Sequence, residues 1–253
     1  MNGFTDQLDN MVPTIAATIA QELDDAAIDL VTDVARVIEY RLDLAPNRDT
    51  GYLVDQAQRL TGSSLLVTPR LKVEGGEWVE DGAVRFRLFE DLMTEVEGLA
   101  AVDVELDSPI LADVVAMAHE RGIVVVGSSH DFKGTPTMST FERKFETGKL
   151  MGVDYVKFAT KLRTEGDFIR LMKFTALCHP QEVISVGMGE KYGPTSRLLL
   201  PFLGSCMTYA YFGEKPLVAG QLECIDMHRR FLELSADYAT QFTGEYAETA
   251  ALR

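Results

Sequence analysis

Lys157 is a charged residue inside a short apolar run, DYVKFA, that has the composition of a β-strand. Val156 and Phe158 flank it, so its side chain is expected to point into a crowded, partly desolvated interior. Burial disfavours an ammonium ion, and a neutral lysine amine attacks carbonyl carbon. Lys157 is therefore a candidate Schiff-base nucleophile. The alternative is a strand-end lysine that reaches solvent or pairs with a glutamate.

His130 follows another apolar run, in the segment SSHDFKGTP. A neutral imidazole is a natural proton shuttle near neutral pH, so His130 is a candidate acid–base residue. Glu74 is an acidic residue that would orient the ring and stabilise its protonated form. A lone histidine is more often structural than catalytic. That interpretation is preferred for the other three histidines, which are His119, His179 and His228.

Three arginines fall at predicted strand ends or in the segments that follow them: Arg41, Arg70 and Arg197. Arginine binds a carboxylate through two parallel hydrogen bonds, so some of these are candidates for holding an anionic substrate. Glu39 and Gln221 occupy comparable positions, Glu39 near the end of a strand and Gln221 in a loop. For each arginine, the alternative is a solvated surface charge.

Eight short apolar runs alternate with helical patterns and predict eight β-strands. The predicted strands are 13–19, 36–42, 64–68, 101–106, 123–128, 154–158, 182–187 and 205–209. After the fourth strand, Asp107 or Ser108 is expected to cap a helix that stops at Gly122. Before that strand, apolar residues at helical spacing predict another helix. These residues are Phe89, Leu92, Met93 and Val96.

A β-then-α unit repeated eight times predicts a single-domain α/β fold over residues 1–253, the (β/α)8 TIM barrel. Residues 1–11 and about 238–253 are expected to be peripheral extensions. The alternative is an open, doubly wound sheet, but no glycine-rich phosphate loop follows the first strand. In a barrel, the carboxyl ends of the strands form the active site, which would bring the residues above to one rim.

Composition excludes several classes of protein. The chain has 24 basic and 39 acidic side chains, a net charge of −15 that repels nucleic acid and anionic lipid. No run approaches the roughly 18 apolar residues of a membrane span, and MNGFTDQLDN lacks the features of a secretion signal. Three cysteines without CxxC spacing argue against a zinc site and favour a cytoplasmic location.

Five segments in the same order resemble the type I 3-dehydroquinate dehydratase family, over about residues 13–235. EYRLD resembles its Glu-x-Arg-x-Asp, and TPRLKVEGG its Thr-x-Arg followed by Glu-Gly-Gly. SSHDFKGTP resembles its Ser-x-His-Asp-Phe, and DYVKFA its strand with the Schiff-base lysine. GMGEKYGPTSRLLLPFLGSCMTYA resembles its Met-Gly, Ser-Arg and Phe-Gly-Ser stretch.

The resemblance implies that Lys157 forms an imine with the C3 ketone of 3-dehydroquinate, and that His130, held by Glu74, moves the proton that leads to 3-dehydroshikimate. It further implies a homodimer in the shikimate pathway, with no metal or organic cofactor. By the same resemblance, Arg197 and Gln221 would bind the substrate carboxylate. Glu39 and Arg70 would hold the ring hydroxyls, with Arg41 in support and Met188 lining the ring pocket.

The loop after the eighth strand departs from the family pattern of Ser or Thr followed by Ala-Pro-Gly-Gln. This chain has KPLVAGQ, with Leu217 where the hydroxyl residue belongs and Ala219 in place of the proline. Pro69, before Arg70, is a smaller departure. The change at the lid motivates an alternative function, a related Schiff-base lyase or aldolase with another carbonyl acid. A non-catalytic binding homologue is the other alternative.

Overall fold

The computed structural model describes residues 3–8, 12–80, 82–178 and 182–242, which contain eight strands and ten α-helices. The strands are Ile15–Ile19 (β1), Val37–Arg41 (β2), Ser64–Thr68 (β3), Leu99–Glu105 (β4), Val124–Asp131 (β5), Tyr155–Lys161 (β6), Val183–Met188 (β7) and Thr208–Tyr211 (β8). The helices are Gly3–Leu8 (α1), Asp25–Val34 (α2), Thr50–Arg59 (α3), Ala83–Glu95 (α4), Leu111–Glu120 (α5), Met138–Leu150 (α6), Glu165–Leu177 (α7), Gly193–Leu199 (α8), Cys224–Leu234 (α9) and Ala236–Gln241 (α10).

The strands form one parallel sheet in the order β7-β6-β5-β4-β3-β2-β1-β8. The sheet curls round until β8 approaches β7, where the backbone N–H of Cys206 donates to the carbonyl of Val183 at 2.9 Å. This nearly closed ring, with helices alternating outside it, confirms the predicted (β/α)8 barrel and excludes the open doubly wound sheet. The strands read as apolar runs because both of their faces are covered; every residue of β4 is buried.

Strands β5 and β6 each extend three residues beyond their predicted ends. The ladder between β5 and β6 continues to the pair Asp131–Thr160, three residues past the apolar part of β5. Backbone pairing does not require apolar side chains, so the ladder runs on into the polar rim of the barrel. His130 therefore lies inside a strand, where the backbone fixes its direction. The last strand begins at Thr208, three residues later than predicted.

The predicted cap of α5 was wrong. Residues 107–110 form a turn in which the carbonyl of Ser108 accepts a hydrogen bond from the N–H of Leu111 at 3.2 Å, and the helix begins only at Leu111. Its predicted end is correct, because Gly122 adopts a left-handed φ of 68° just beyond the last turn. The helix predicted from Phe89 and its neighbours is α4.

Helix α1 lies across the amino-terminal end of the barrel. Its Phe4 and Leu8 are buried in the cluster that fills the lower interior, and the ring of Phe4 is 6.4 Å from that of Tyr155. The described part of segment 1–11 therefore closes the floor of the barrel, opposite the rim at which the strands end. A second, larger cluster lies between the sheet and the outer helices.

The described part of the chain contains no helix with the length and apolar character needed to cross a bilayer. Its three cysteines, Cys178, Cys206 and Cys224, are all free thiols. His119 lies in α5, where its Nε2 is 3.1 Å from Oδ2 of Asp154. His228 is buried in α9, where its Nδ1 is 2.8 Å from the hydroxyl of Tyr238. His179 lies outside the described residues.

Candidate active site

A cavity of about 310 Å³ opens at the carboxyl ends of the strands. All nine residues singled out from the sequence line it. They come from six of the eight βα units and include Lys157, His130 and Glu74 together with Glu39, Arg41, Arg70, Met188, Arg197 and Gln221. One position differs from expectation, because Arg197 lies in helix α8 and not in a loop.

Lys157 is buried in β6 with its side chain directed into the barrel. Its Nζ donates to Oδ2 of Asp103 at 3.0 Å and to Oε1 of Glu39 at 3.3 Å. The ring of Tyr209 packs against the same nitrogen, with 3.9 Å from Nζ to the ring centroid. Two carboxylates and an aromatic face therefore surround the buried amine of Lys157.

The two carboxylates beside Lys157 are held by hydroxyl groups. Thr18 donates to one oxygen of Glu39 at 3.0 Å and Thr68 donates to the other at 3.1 Å. Ser128 donates to Asp103 at 2.6 Å. Burial alone would raise the pKa of Asp103, but the nearby Arg70 and Lys157 hold it well below its ordinary value. Asp103 is thus held in its ionised form at neutral pH.

Arg70 is buried, and its guanidinium is engaged by the wall of the barrel. Nη2 donates to Asp103 at 2.6 Å, and Nη1 donates to Glu105 at 2.8 Å and to Ser128 at 2.6 Å. Burial lowers the pKa of Arg70, but the charges of Asp103 and Glu105 outweigh it and raise the pKa above its ordinary value. Arg70 therefore orients the acidic residues beside Lys157, in addition to lining the cavity.

The segment after β3 carries Glu74 to the imidazole of His130. A short 3-10 turn, Lys72–Glu74, ends at Gly75, whose φ of 82° is left-handed. At Gly76 a Cβ atom would lie 2.1 Å from the carbonyl oxygen of Arg70, so only glycine fits. The two glycines that follow Glu74 thus allow a tight turn of the backbone. This turn brings the carboxylate of Glu74 into contact with His130 of β5.

One oxygen of Glu74 accepts a hydrogen bond from the backbone N–H of His130 and lies 2.9 Å from its Nδ1. Burial lowers the pKa of His130 well below 6.5, and the positive charges of Arg70 and Lys157 add to this effect. Burial raises the pKa of Glu74 from 4.5 to about 7, although Arg70 opposes the change. At neutral pH the imidazole is therefore uncharged. With Nδ1 engaged by Glu74, Nε2 is the nitrogen left for proton transfer.

Arg197 is a buried cation that has no carboxylate within ion-pair distance among the described residues. Nη1 donates to the carbonyl of Tyr209 at 2.8 Å, and Nε has no hydrogen-bond partner in this part of the chain. Burial lowers the pKa of Arg197 to about 10, with Glu39 acting in the opposite direction. An incompletely paired guanidinium that lines a cavity is a ready site for a carboxylate.

Arg41 and Met188 complete the walls of the cavity. Nε and Nη2 of Arg41 each donate to Asp43 at 2.8 Å, and this carboxylate also accepts from the backbone N–H groups of Arg70 and Glu77. Met188 is the last residue of β7 and gives the cavity an apolar face.

The loop after β8 forms the edge of the cavity as a lid. Gln221 lies below it, where Oε1 accepts from the backbone N–H of Leu217 at 3.1 Å. The carbonyl of Ala219 accepts from the N–H of Gly189 at 2.8 Å. Gly220 has a φ of 83°, and a Cβ there would lie 2.3 Å from the carbonyl oxygen of Gly189. The lid is thus fastened to the end of β7 by close backbone contact.

Sequence reasoning missed several residues that contact Lys157 or line the cavity. Asp103 is the most important of them, and it lies in β4 within the string AVDVEL. Acidic residues at alternate positions of an apolar strand share one face, which was a usable signal. Other missed lining residues are Thr18, Tyr209, Phe132 and Lys215. Among the described residues, no group of three or more His, Cys, Asp or Glu side chains is arranged to hold a metal ion.

Two comparisons of sequence give the same family. The family described as type I 3-dehydroquinase matches residues 11–237. The 3-dehydroquinate dehydratase of Methanosarcina barkeri is 31% identical over 208 residues, which are 79% of this chain and 85% of that protein. The 3-dehydroquinate dehydratase of Thermodesulfovibrio yellowstonii is 31% identical over 201 residues, 76% of this chain and 83% of that protein.

Solved structures agree at the level of the fold. The 3-dehydroquinate dehydratase of Geobacillus kaustophilus HTA426 superposes with a TM-score of 0.76 at 24% identity, covering 92% of this chain and 93% of that one. The type I enzyme of Clostridium difficile, solved with covalently modified comenic acid, gives 0.78 at 24% identity, covering 88% and 92%. On the sequence matches, the chain belongs to the type I 3-dehydroquinase family.

Proposed function

We propose that this protein dehydrates 3-dehydroquinate to 3-dehydroshikimate, a step of the shikimate pathway, through an imine on Lys157. The observation that carries the proposal is a buried amine in β6, next to a strand that holds a neutral imidazole in the same cavity. His130 lies two residues further towards the rim than Ser128, which is the neighbour of Lys157 in the ladder. Amine and imidazole therefore face one substrate from adjacent strands.

The first step is attack of the Lys157 amine on the C3 ketone, with loss of water and formation of a protonated imine. The imine draws electrons from C2 and acidifies its proton. Neutral His130 removes that proton through Nε2, which gives an enamine, and Glu74 stabilises the resulting imidazolium through Nδ1.

The second half returns the proton. Electrons of the enamine expel the C1 hydroxyl while the His130 imidazolium protonates it, so that water leaves and a conjugated imine remains. Water then hydrolyses this imine, which releases 3-dehydroshikimate and regenerates the amine of Lys157. The electron sink is the lysine imine itself, so the proposed reaction requires no metal and no organic cofactor.

The proposed substrate contacts are based on which cations in the cavity already have carboxylate partners. Arg197, which lacks a carboxylate partner among the described residues, is proposed to bind the substrate carboxylate together with Gln221. Glu39 and Arg70 would contact the ring hydroxyls, although several donors of Arg70 are already used. Arg41 would support them, and Met188 would pack against the ring.

We further propose that the protein works in the cytoplasm as a homodimer. The three free cysteines fit a reducing compartment. Size-exclusion chromatography with light scattering tests the dimer, and a monomer at micromolar concentration would contradict it.

A substrate panel tests the function. The purified protein is given 3-dehydroquinate and other cyclic and open-chain keto acids, and the ultraviolet absorbance of the conjugated product is followed. Fast turnover of 3-dehydroquinate alone is the expected result. Much faster turnover of another keto acid would favour the related lyase or aldolase, for which the altered lid at Leu217 is the reason. Binding without turnover of any compound would favour a binding homologue.

A further inference from the structure

Arg85 is fully buried although it belongs to helix α4, which lies outside the barrel. Its Nη2 donates to Oε2 of Glu105, the last residue of β4. Its guanidinium also lies over the ring of Phe89, 5.5 Å from the centroid, one turn further along the same helix. The side chain therefore reaches from the helical layer to the wall of the barrel. Burying a guanidinium is costly unless its charge is compensated, so this placement calls for an explanation.

Arg85 belongs to a continuous chain of ion pairs that runs inward to Lys157. Glu105 accepts from Arg85 with one oxygen, and with the other from Arg70 at 2.8 Å and from the N–H of Leu71 at 3.0 Å. Arg70 donates in turn to Asp103 at 2.6 Å. Asp103 accepts from Lys157 at 3.0 Å. Positive and negative charges alternate along this path from the helix to the amine.

We infer that Arg85 is a positioning residue for the reaction, which acts through Glu105 and Arg70 to limit how strongly Asp103 holds the proton of Lys157. This inference rests on the proposed role of Lys157 as the nucleophile. When Arg85 occupies one oxygen of Glu105, Arg70 is free to direct Nη2 to Asp103. Without Arg85, Glu105 competes for both Nη1 and Nη2 of Arg70. Asp103 then pairs with Lys157 alone.

The sign of the effect follows from the charges. Loss of the Arg85 cation removes one positive charge from beside Glu105, and the negative charge of Glu105 that it had offset then stabilises the ammonium form of Lys157. The neutral amine then forms only at higher pH. The variant and the wild-type protein should differ only at Arg85, so that the other charged groups near Lys157 are the same in both. The charged and titratable groups facing the lysine are Glu39 from β2, Arg70 after β3, Asp103 from β4, His130 from β5 and Tyr209 from β8.

The experiment measures the rate at which 3-dehydroquinate and borohydride produce a reduced adduct, as a function of pH. For Arg85→Met, the pH of half-maximal rate should rise by about one pH unit, as expected for unit charges on the order of 10 Å apart in a medium of effective dielectric constant near 20. Adduct formation at neutral pH should then fall about tenfold. Arg85→Lys should restore most of the shift in pH, because it keeps the charge, even if its melting temperature is lower.

Arg87→Met is the matched control, since Arg87 lies two residues along the same helix and is exposed. It should leave the pH profile unchanged. If Arg85→Met lowers the melting temperature but keeps the wild-type profile, Arg85 is structural only and the inference is overturned.

Two further outcomes are decisive. If Arg85→Met does not fold, Glu105→Gln tests the same chain from its middle, because removal of an anion should shift the profile to lower pH. An unchanged profile for Glu105→Gln would overturn the inference. If the wild-type protein turns over substrate without any adduct at Lys157, the proposed mechanism fails and the inference fails with it. If the wild-type protein forms the adduct but the variants keep the wild-type pH profile, only the inference about Arg85 is overturned and the proposed mechanism stands.

Discussion

Oδ2 of Asp103 lies 3.0 Å from Nζ of Lys157, across the intervening strand β5. Both side chains are buried, and Asp103 is tied on its other side to Arg70. The amine of Lys157 is therefore one partner of a buried ion pair, which fixes its position. In the proposed mechanism, this pair aims the amine of Lys157 at the cavity before the ketone arrives.

Asp103→Asn tests that relationship directly. Removal of the negative charge should favour the neutral amine, so the pH profile of adduct formation should move to lower pH. The rate at the optimum should still fall, by roughly a hundredfold, because the amine and Arg70 lose the group that orients them. The melting temperature should fall as well, since a buried arginine is left with one carboxylate fewer.

Asp113→Asn, on the exposed face of α5, is the control for the loss of an acidic side chain. A wild-type rate for Asp103→Asn would show that the position of Lys157 does not depend on this carboxylate.

Glu74 gives a prediction for stability against pH. Its pKa is raised from 4.5 to about 7 in the folded protein, mainly by burial. The folded state therefore binds a proton more tightly than the unfolded state between these values. Stability due to this group is greatest below about pH 4.5 and is lost as the pH rises through 7. Glu74→Gln should consequently stabilise the protein at about pH 8, by about 3 kcal/mol, and much less at about pH 5.

Chemical denaturation at the two pH values measures this difference. Glu90→Gln, an exposed change in α4, should give the same small effect at both. Equal effects for Glu74→Gln at both pH values would contradict the raised pKa. Because Glu74 stabilises the protonated form of His130 in the proposed mechanism, the stabilised variant should be the slower enzyme, by about 10- to 100-fold.

Leu217 occupies the lid position at which the family pattern has a hydroxyl. Its backbone N–H donates to Gln221, so the side chain at this position is held over the cavity. Leu217→Ser should lower the KM for 3-dehydroquinate by about threefold, the effect of roughly one added hydrogen bond, with little change in kcat. The same change at the neighbouring Val218 should bring no such gain. A KM that rises in Leu217→Ser would show that the lid is adapted to an apolar contact.

The fold was predictable because its main signal is local. Each barrel strand is covered on both faces, so each reads as a continuous apolar run, and the repeated βα order leaves few topologies. The errors occurred where pairing or a turn decided the outcome. The ladder carries β5 to Asp131, and the turn at Ser108 delays α5, although neither effect is visible in apolar periodicity.

The residues of the site were predicted by type and position, but their pairing was not. That Lys157 would be buried followed from its neighbours. That Asp103 would lie beside it depends on the closure of the barrel, which brings residues 54 positions apart into contact. Arg85 was missed for a related reason. It lies one turn before the buried Phe89 and so shares the inner face of α4, but a charged residue is normally expected at the surface.

Peptide mapping of the borohydride-reduced complex with 3-dehydroquinate shows directly which amine captures the ketone. Mass spectrometry of the wild-type protein should place the adduct on Lys157 alone, Lys157→Ala should form none, and His130→Ala should accumulate the imine while elimination falls at least a hundredfold. An adduct on another lysine, or normal turnover by Lys157→Ala, would show that the buried amine of Lys157 does not capture the ketone.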